Sequence, residues 1–123
     1  MFKRNGTYYA VFGHCCCYCS DGASVTVYNS SSPLGPFKTT NNLGNEGHAQ
    51  QLNIIQFKST KDVGYGYLWL GNRWQSSPDC IKGHDFTYWS PLSFDQAGNV
   101  KYMNYTASFT IDVISDDCDL SDQ

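Results

Sequence analysis

The 123-residue chain is long enough to form one domain with its own hydrophobic core. Its 41% apolar and 15% charged residues exclude a disordered chain, and no apolar run approaches the ~20 residues that a membrane-spanning helix needs. The net charge of −3, with basic residues that stand singly apart from Lys3-Arg4, argues against nucleic acid as a partner.

Seven segments are predicted as β-strands because they alternate apolar and polar residues or are rich in aromatic and β-branched ones. In chain order they are 7–13, 24–28, 50–57, 65–71, 86–94, 100–105 and 109–113. Turn-forming residues separate them, among them Asn5-Gly6, Asp21-Gly22 and Ala97-Gly-Asn99. Connections this short favour antiparallel pairing, so the predicted fold class is all-β. A sandwich, a small barrel and propeller blades all remain open on the pattern alone.

The chain contains six cysteines, and an even number in a protein outside the cytosol indicates disulfides. Their pairing cannot be deduced from the sequence. A metal site is the less favoured alternative, because adjacent cysteines on a strand point to opposite faces whereas zinc needs ligands that converge. No metal or other cofactor is therefore expected. The disulfide candidates are Cys15, Cys16, Cys17, Cys19, Cys80 and Cys118.

Four motifs together point to a known family. They are the run Met1-Phe-Lys-Arg-Asn-Gly-Thr-Tyr-Tyr-Ala-Val-Phe-Gly13, then Ser32-Pro-Leu-Gly-Pro-Phe37, Leu70-Gly-Asn-Arg-Trp74 and Tyr88-Trp-Ser-Pro-Leu92. In this order the chain resembles the C-terminal part of glycoside hydrolase family 43, and more closely the galactan 1,3-β-galactosidase-like branch. The resemblance covers about residues 1–113.

The resemblance implies a five-bladed β-propeller of antiparallel, four-stranded blades, of which residues 1–113 would form about the last two. Residues 114–123 are then an acidic tail. Three blades would be missing, and these N-terminal blades of the same propeller are one expected partner. An open two-blade piece leaves an apolar blade face and sheet edges uncovered.

The catalytic residues that the resemblance implies lie mostly upstream of this chain. The family's general acid is a Glu located a few residues before the strand that begins here at Phe2, and its two catalytic Asp residues lie further upstream. Some members of the galactan-active branch use a glutamine as the base, and Gln50 or Gln51 matches it. Successive strand residues face opposite sides, so a one-residue register decides between them. The alternative role for both is cross-strand hydrogen bonding.

Two further residues resemble the family's Asp-Arg-Trp motif near the sugar site, namely Arg73 and Trp74, with Asn72 in place of the acid. Arginine can donate planar hydrogen bonds to a sugar, and tryptophan offers a face for stacking. The alternative is a packing role, in which Arg73 stacks on an aromatic ring and pairs with a buried Asp such as Asp85.

Three more substrate-binding candidates come from loops. Glu46 is the only glutamate and lies two residues before His48 in a loop rich in Gly and Asn, and a solvated loop carboxylate is the plainer interpretation. His14 stands where the family often carries Gly-Trp-x-x-Asn.

The sequence therefore predicts a C-terminal fragment of a glycoside hydrolase that cleaves O-glycosidic bonds in galactan or a related polysaccharide, and that is inactive alone. Its expected partner is an oligosaccharide or polysaccharide, not nucleic acid or a membrane. The parent protein is expected to be extracellular, although this chain carries no signal peptide. An alternative is a non-catalytic carbohydrate-binding or structural β-domain that stacks sugars on Trp69, Trp74 and Trp89. A truncated product without a selected function is a third possibility.

Overall fold

The computed structural model describes residues 1–14, 19, 22–45, 47–60 and 64–114. These residues form two antiparallel sheets, which confirms the all-β prediction. The N-terminal sheet has the order β1-β2-β3-β4 and the C-terminal sheet the order β5-β6-β7. The strands are β1 (Phe2–Arg4), β2 (Thr7–Gly13), β3 (Val25–Ser30), β4 (Lys38–Asn42), β5 (Gln50–Lys58), β6 (Tyr65–Asn72) and β7 (Thr87–Pro91), and a 3₁₀ turn covers Lys82–His84. No helix in the described ranges is long and apolar enough to cross a membrane.

The predicted strands 100–105 and 109–113 are wrong. In this part of the chain only Val100 forms a bridge, to Phe94, and the backbone then bonds to separated partners. The Met103 N–H donates to the Leu43 carbonyl at 2.9 Å, and the Ile114 N–H donates to the Lys58 carbonyl at 3.1 Å. The segment thus runs between the two sheets. Among the described residues the C-terminal sheet has three strands, whereas a four-stranded blade was expected.

Strands β1 and β2 form a hairpin whose turn was predicted from Asn5-Gly6. Both turn residues have positive φ, 48° and 82°, as the two central positions of a type I′ turn require. The hairpin pairs Phe2 with Tyr9. This register puts both rings on the side of the N-terminal sheet that faces the other sheet.

One core lies between the two sheets. Phe2 stacks on Tyr9 with 4.9 Å between ring centroids, and Phe94 meets Tyr67 of the C-terminal sheet edge-on at 5.8 Å. The Tyr67 hydroxyl also donates to the Lys3 carbonyl of β1 at 2.8 Å. The buried members of the core are Phe2, Tyr9, Val25, Val27, Leu43, Ala49, Tyr67, Trp69, Tyr88, Leu92, Val100 and Met103.

Candidate functional site

Several predicted site residues meet where β5 begins and β6 ends. In this antiparallel pair Gln50 lies opposite Asn72, so Arg73 and Trp74 follow directly beside the start of β5. The end of β2 reaches the same place, because a Cβ atom on Gly13 would lie 3.4 Å from the Gln51 Cβ atom. We call this edge, with residues 73–86 that follow β6, the loop end of the sheets.

Gln50 and Trp74 are joined by a side-chain hydrogen bond. The indole Nε1 of Trp74 donates to the Oε1 atom of Gln50 at 2.5 Å. Because an indole N–H can only donate, this contact fixes the orientation of the amide. The amide nitrogen of Gln50 therefore points away from the indole and can donate to a ligand.

Gln51 has a different environment from its neighbour. It lies opposite Gly71 on β6, and its Oε1 atom is buried without a hydrogen-bond partner among the described residues. A buried carbonyl oxygen left unpaired costs about 1–3 kcal/mol, so it is a ready acceptor for a hydroxyl group or a water molecule. That one of the two glutamines takes part in catalysis stays a prediction.

Arg73 holds the loop that precedes β5. Its Nε atom donates to the Gly47 carbonyl at 2.9 Å, and its guanidinium lies 4.7 Å from the centre of the Tyr88 ring and 5.6 Å from that of Tyr105. The packing interpretation correctly placed this side chain on an aromatic ring. Its expected ion pair with Asp85 is not formed, because that carboxylate binds Lys82.

One face of the Trp74 ring is covered by a lysine. The Lys82 Nζ atom lies 3.8 Å from the ring centroid and 3.0 Å from the Asp85 Oδ2 atom. A cation over an indole face is attracted by the ring quadrupole. Trp74 therefore offers at most its opposite face and its edges to a sugar while Lys82 stays in place.

Asp85 fixes the loop that carries Trp74. Its carboxylate accepts three backbone N–H bonds from residues 75–77, at 2.9 to 3.1 Å, and its side chain is 2% exposed. Burial alone would raise the pKa of Asp85. The hydrogen bonds from Lys82 and from the three backbone N–H groups outweigh it and hold the pKa below its ordinary value.

The two candidate histidines, His14 and His48, make local contacts. The Nε2 atom of His14 hydrogen-bonds to the Thr26 hydroxyl. His48 is exposed, has a φ of 45° and closes a turn through its N–H to the Asn45 carbonyl at 3.0 Å. Their role in binding substrate stays a prediction, and Glu46 lies outside the described residues.

Two of the six cysteines are described. Cys80 is an exposed free thiol, so its place among the disulfide candidates is wrong. Cys19 is disulfide-bonded. The described residues contain no group of three or more side chains able to hold a metal ion. The remaining candidates, Cys15, Cys16, Cys17 and Cys118, lie outside the described residues.

One cavity lies beside this site, and another lies at the opposite end of the sheets. One of about 210 Å³ is lined by Lys82 and Asp85 together with Gln75 and Cys80, beside Trp74. Another, of about 410 Å³, has Gln56, Lys3 and Arg4 in its wall and lies at the hairpin end of β1 and β2. Since Gln56 stands six residues after Gln50 on β5, the larger cavity is not part of the candidate site.

Comparison with solved structures identifies the fold. The chain matches an exo-β-1,3-galactanase from Clostridium thermocellum with a TM-score of 0.70 and 24% identity over 85% of its length. It matches a GH43 β-1,3-galactosidase, solved with galactodeoxynojirimycin, with a TM-score of 0.67 and 20% identity over 88% of its length. The chain has the fold of part of a family 43 propeller. It spans only 22% and 30% of these two chains. No protein-family model and no curated protein matches the sequence.

This result confirms, at the level of the fold, the resemblance seen in the sequence. The tryptophans of the alternative hypothesis differ in their exposure to solvent. Trp69 is 1% exposed and packs edge-on against Tyr88 at 6.4 Å, so it cannot be a stacking platform for a sugar. Trp89 is 44% exposed.

The sequence did not point to Lys82 as a site residue. It lies eight positions after Trp74, and only the 3₁₀ turn at Lys82–His84 brings its ammonium back over the ring. Tyr88 was placed in a strand correctly, but its contact with the Arg73 guanidinium has no local sequence signal.

Proposed function

We propose that this chain is the C-terminal portion of a family 43 glycoside hydrolase whose complete propeller cleaves O-glycosidic bonds in galactan or a related β-1,3-linked polysaccharide. One observation carries the proposal. Two solved structures share the fold of this chain, and they are an exo-β-1,3-galactanase and a β-1,3-galactosidase. The four motifs from Met1 to Leu92 occur in the family's order and support the same assignment.

We propose that the chain alone does not hydrolyse glycosides. Inverting hydrolysis needs two carboxyl groups about 6.5–9.5 Å apart, one of them protonated. At the loop end the carboxylate of Asp85 is already bound by Lys82 and by three backbone N–H groups. Its lowered pKa keeps it ionised at neutral pH, so it is unsuited to donate a proton.

The residues of the loop end would instead hold part of the sugar. The Gln50 amide nitrogen would donate to a hydroxyl group, and the unpaired Gln51 Oε1 atom would accept from one. Trp74 would orient Gln50, while Arg73 would hold the preceding loop through Gly47. The partner of this site is a saccharide.

We also propose that the parent enzyme acts outside the cell. The disulfide at Cys19 supports this, because disulfides persist in oxidising compartments. A polysaccharide too large to enter a cell is a substrate that fits the same location.

Titration of the purified chain with β-1,3-linked galacto-oligosaccharides tests the proposed site. We expect weak binding by calorimetry that is lost in Gln50→Ala and retained in Gln56→Ala, a matched change on the opposite end of β5. Equal binding by both variants, or preference for an unrelated xylan oligosaccharide, would contradict the assignment of the site.

A hydrolysis assay on the same preparation tests the lack of activity. The 123-residue chain is expected to release no galactose from β-1,3-linked galacto-oligosaccharides at any pH between 4 and 8. Steady release that scales with enzyme concentration, and that survives further purification, would show that the chain carries its own catalytic pair.

A further inference from the structure

The space between the two sheets changes character at its hairpin end, where the turn of β1 and β2 lies. Aromatic rings fill the middle of the shared core, among them Phe2, Tyr9 and Phe94. Beyond them lies the cavity of about 410 Å³, which we call the hairpin cavity. Its volume lies within the range of roughly 300–1,000 Å³ that is usual for small-molecule sites. Both sheets of this chain line it, with Arg4, Asn5 and Gly6 on one side and Gln56, Tyr65 and Tyr67 on the other.

Arg4 points into the hairpin cavity. Because strand residues alternate, Arg4 shares the core-facing side of β1 with Phe2. Its guanidinium carbon lies 4.1 Å from the centre of the Phe94 ring. Burial raises the pKa of both Tyr9 and Tyr67, and the charge of Arg4 opposes this rise at each of them. The cation therefore lies in the space between the sheets, close to both hydroxyl groups.

Arg4 forms no ion pair with a carboxylate of the described residues. Asp95, which follows Phe94, accepts instead from the Asn99 N–H at 2.8 Å and from the Asn99 side-chain amide at 3.0 Å. A guanidinium that lies over a ring face keeps its N–H groups in its own plane, where they form a fork that matches the two oxygens of a carboxylate. The hairpin cavity therefore favours a ligand that carries a carboxylate.

The other groups of the cavity suit a sugar better than a bare inorganic anion. Asn5 and Gln56 are exposed amides, and an amide can both donate to and accept from hydroxyl groups. Tyr65 is 45% exposed and offers a ring face for stacking. Tyr67 differs from it, because its hydroxyl already donates to the Lys3 carbonyl at 2.8 Å. The cavity thus combines one cation with neutral groups that recognise hydroxyls and a ring.

We propose that the hairpin cavity binds a uronic acid unit of a saccharide, with its carboxylate on Arg4 and its hydroxyl groups on Asn5 and Gln56. The carboxylate accepts two parallel hydrogen bonds from the guanidinium, a geometry that is strong and specific. Gln56 stands six residues after Gln50, about 20 Å along β5, so this site is separate from the loop end. The choice of a galactose-type ring for the probe rests on the proposed function, whereas the recognition of the carboxylate does not.

Titration of the 123-residue chain with galacturonate, followed by the backbone amide signals in nuclear magnetic resonance, tests the proposal. Galactose is the matched neutral ligand, because the two sugars differ only at C6, which is a carboxylate in one and a hydroxymethyl group in the other. Galacturonate should shift the amide signals of Gly6 and Gln56 and leave that of Asn72, at the loop end, in place. Galactose at the same concentration should leave the Gly6 and Gln56 signals unmoved.

Variants of neighbouring residues on β1 separate the fork from charge in general. Arg4→Gln should weaken galacturonate binding about tenfold or more, because it removes hydrogen bonds between charged groups. Arg4→Lys keeps the charge without the planar fork and should restore only part of the affinity. Lys3→Gln is the matched control. The Lys3 ammonium lies 4.9 Å from the centre of the Tyr8 ring, on the side of β1 that faces away from Arg4, so its loss should change the affinity less than about twofold at physiological salt.

Near-ultraviolet circular dichroism verifies the fold of each variant. Gln56→Ala, at an exposed strand position, should also weaken galacturonate binding and replaces Arg4→Gln if that variant does not fold. Equal binding of galactose and galacturonate would overturn the proposal, as would galacturonate binding that both variants leave intact. Inorganic sulfate that binds as tightly as galacturonate would overturn it too, because the cavity would then be a site for free anions.

A comparison with Gln50→Ala distinguishes this proposal from the proposed function. Galacturonate binding that Arg4→Gln removes and Gln50→Ala leaves intact supports the hairpin cavity. It does so even where neutral galacto-oligosaccharides fail to bind at the loop end, a result that would count against the proposed function alone.

Discussion

At the scale of single residues, Asp85 organises the candidate site through the backbone. It accepts N–H bonds from residues 75–77 and holds Lys82 over Trp74. Trp74 in turn binds the Gln50 oxygen. One carboxylate thus sets the position of the loop, the cation and, through the indole, the glutamine amide.

Asp85→Asn is expected to lower the unfolding temperature at neutral pH, because the charged acceptor of three backbone N–H groups and of Lys82 is lost. The pKa of Asp85 is lower in the folded chain than its ordinary value of 3.8. Its stabilisation is therefore complete above that pH and is lost as the pH falls through the folded pKa. Thermal unfolding of both proteins between pH 7 and pH 2 measures this, and their difference should shrink in acid. A difference that stays constant with pH would contradict the assigned role.

The site residues differ in how far the sequence could predict them. Gln50, Arg73 and Trp74 stand next to strand ends, and strand pairing brings them together whatever the details of packing. Lys82 depends on the path of a loop. The sequence correctly suggested that Arg73 packs on an aromatic ring, but it also suggested an ion pair with Asp85 that does not form. Asp85 instead binds Lys82, which lies three residues before it in the same turn.

At the scale of elements, the β1–β2 hairpin depends on its turn. Gly6 has a φ of 82°, and a Cβ atom there would touch nothing within 4 Å, so any cost of a side chain comes from the backbone alone. Gly83 also has open space for a Cβ atom and does not have a positive φ. These two glycines therefore form a matched pair.

Gly6→Ala is expected to lower the free energy of unfolding by about 1–2 kcal/mol, the cost of placing an L-residue in a left-handed conformation. Gly83→Ala should leave it unchanged or raise it slightly, because alanine restricts the unfolded chain. Urea denaturation of the two variants measures both values. Equal losses would show that the turn at Asn5-Gly6 does not control the hairpin.

Five of the predicted strands overlap β2, β3, β5, β6 and β7, which are rich in aromatic and β-branched residues. Strand β4, with the sequence KTTNN, lies at the edge of its sheet and has no apolar alternation to reveal it. The segments 100–105 and 109–113 contain strand-forming residues. Their backbone groups nevertheless bond to Leu43 and Lys58, because they bridge two sheets instead of extending one. Propensity alone cannot distinguish these situations.

At the scale of the whole molecule, the core shared by the two sheets makes them one folding unit. Phe94, which follows β7, contacts Phe2 and Tyr9 of the N-terminal sheet with centroid distances of 6.3 and 5.9 Å. It contacts Tyr67 of the C-terminal sheet as well. Neither sheet can bury these rings alone. The number of blades in the complete ring, by contrast, depends on what covers the outer sides of the two sheets, and local sequence patterns carry no information on it.

Tyr67→Phe removes one hydrogen bond between the sheets, from the buried hydroxyl to the Lys3 carbonyl, without opening a cavity. We expect a loss of about 0.5–1.5 kcal/mol in the free energy of unfolding. Tyr65→Phe removes a hydroxyl from a half-exposed ring on the same strand and should cost little. Hydrogen exchange at the Val27 and Trp69 amides, one in each sheet, reports whether the loss is shared. Because both amides lie in strands that border the common core, equal decreases in protection are expected at the two positions. A decrease confined to the Trp69 amide would mean that the blades open independently.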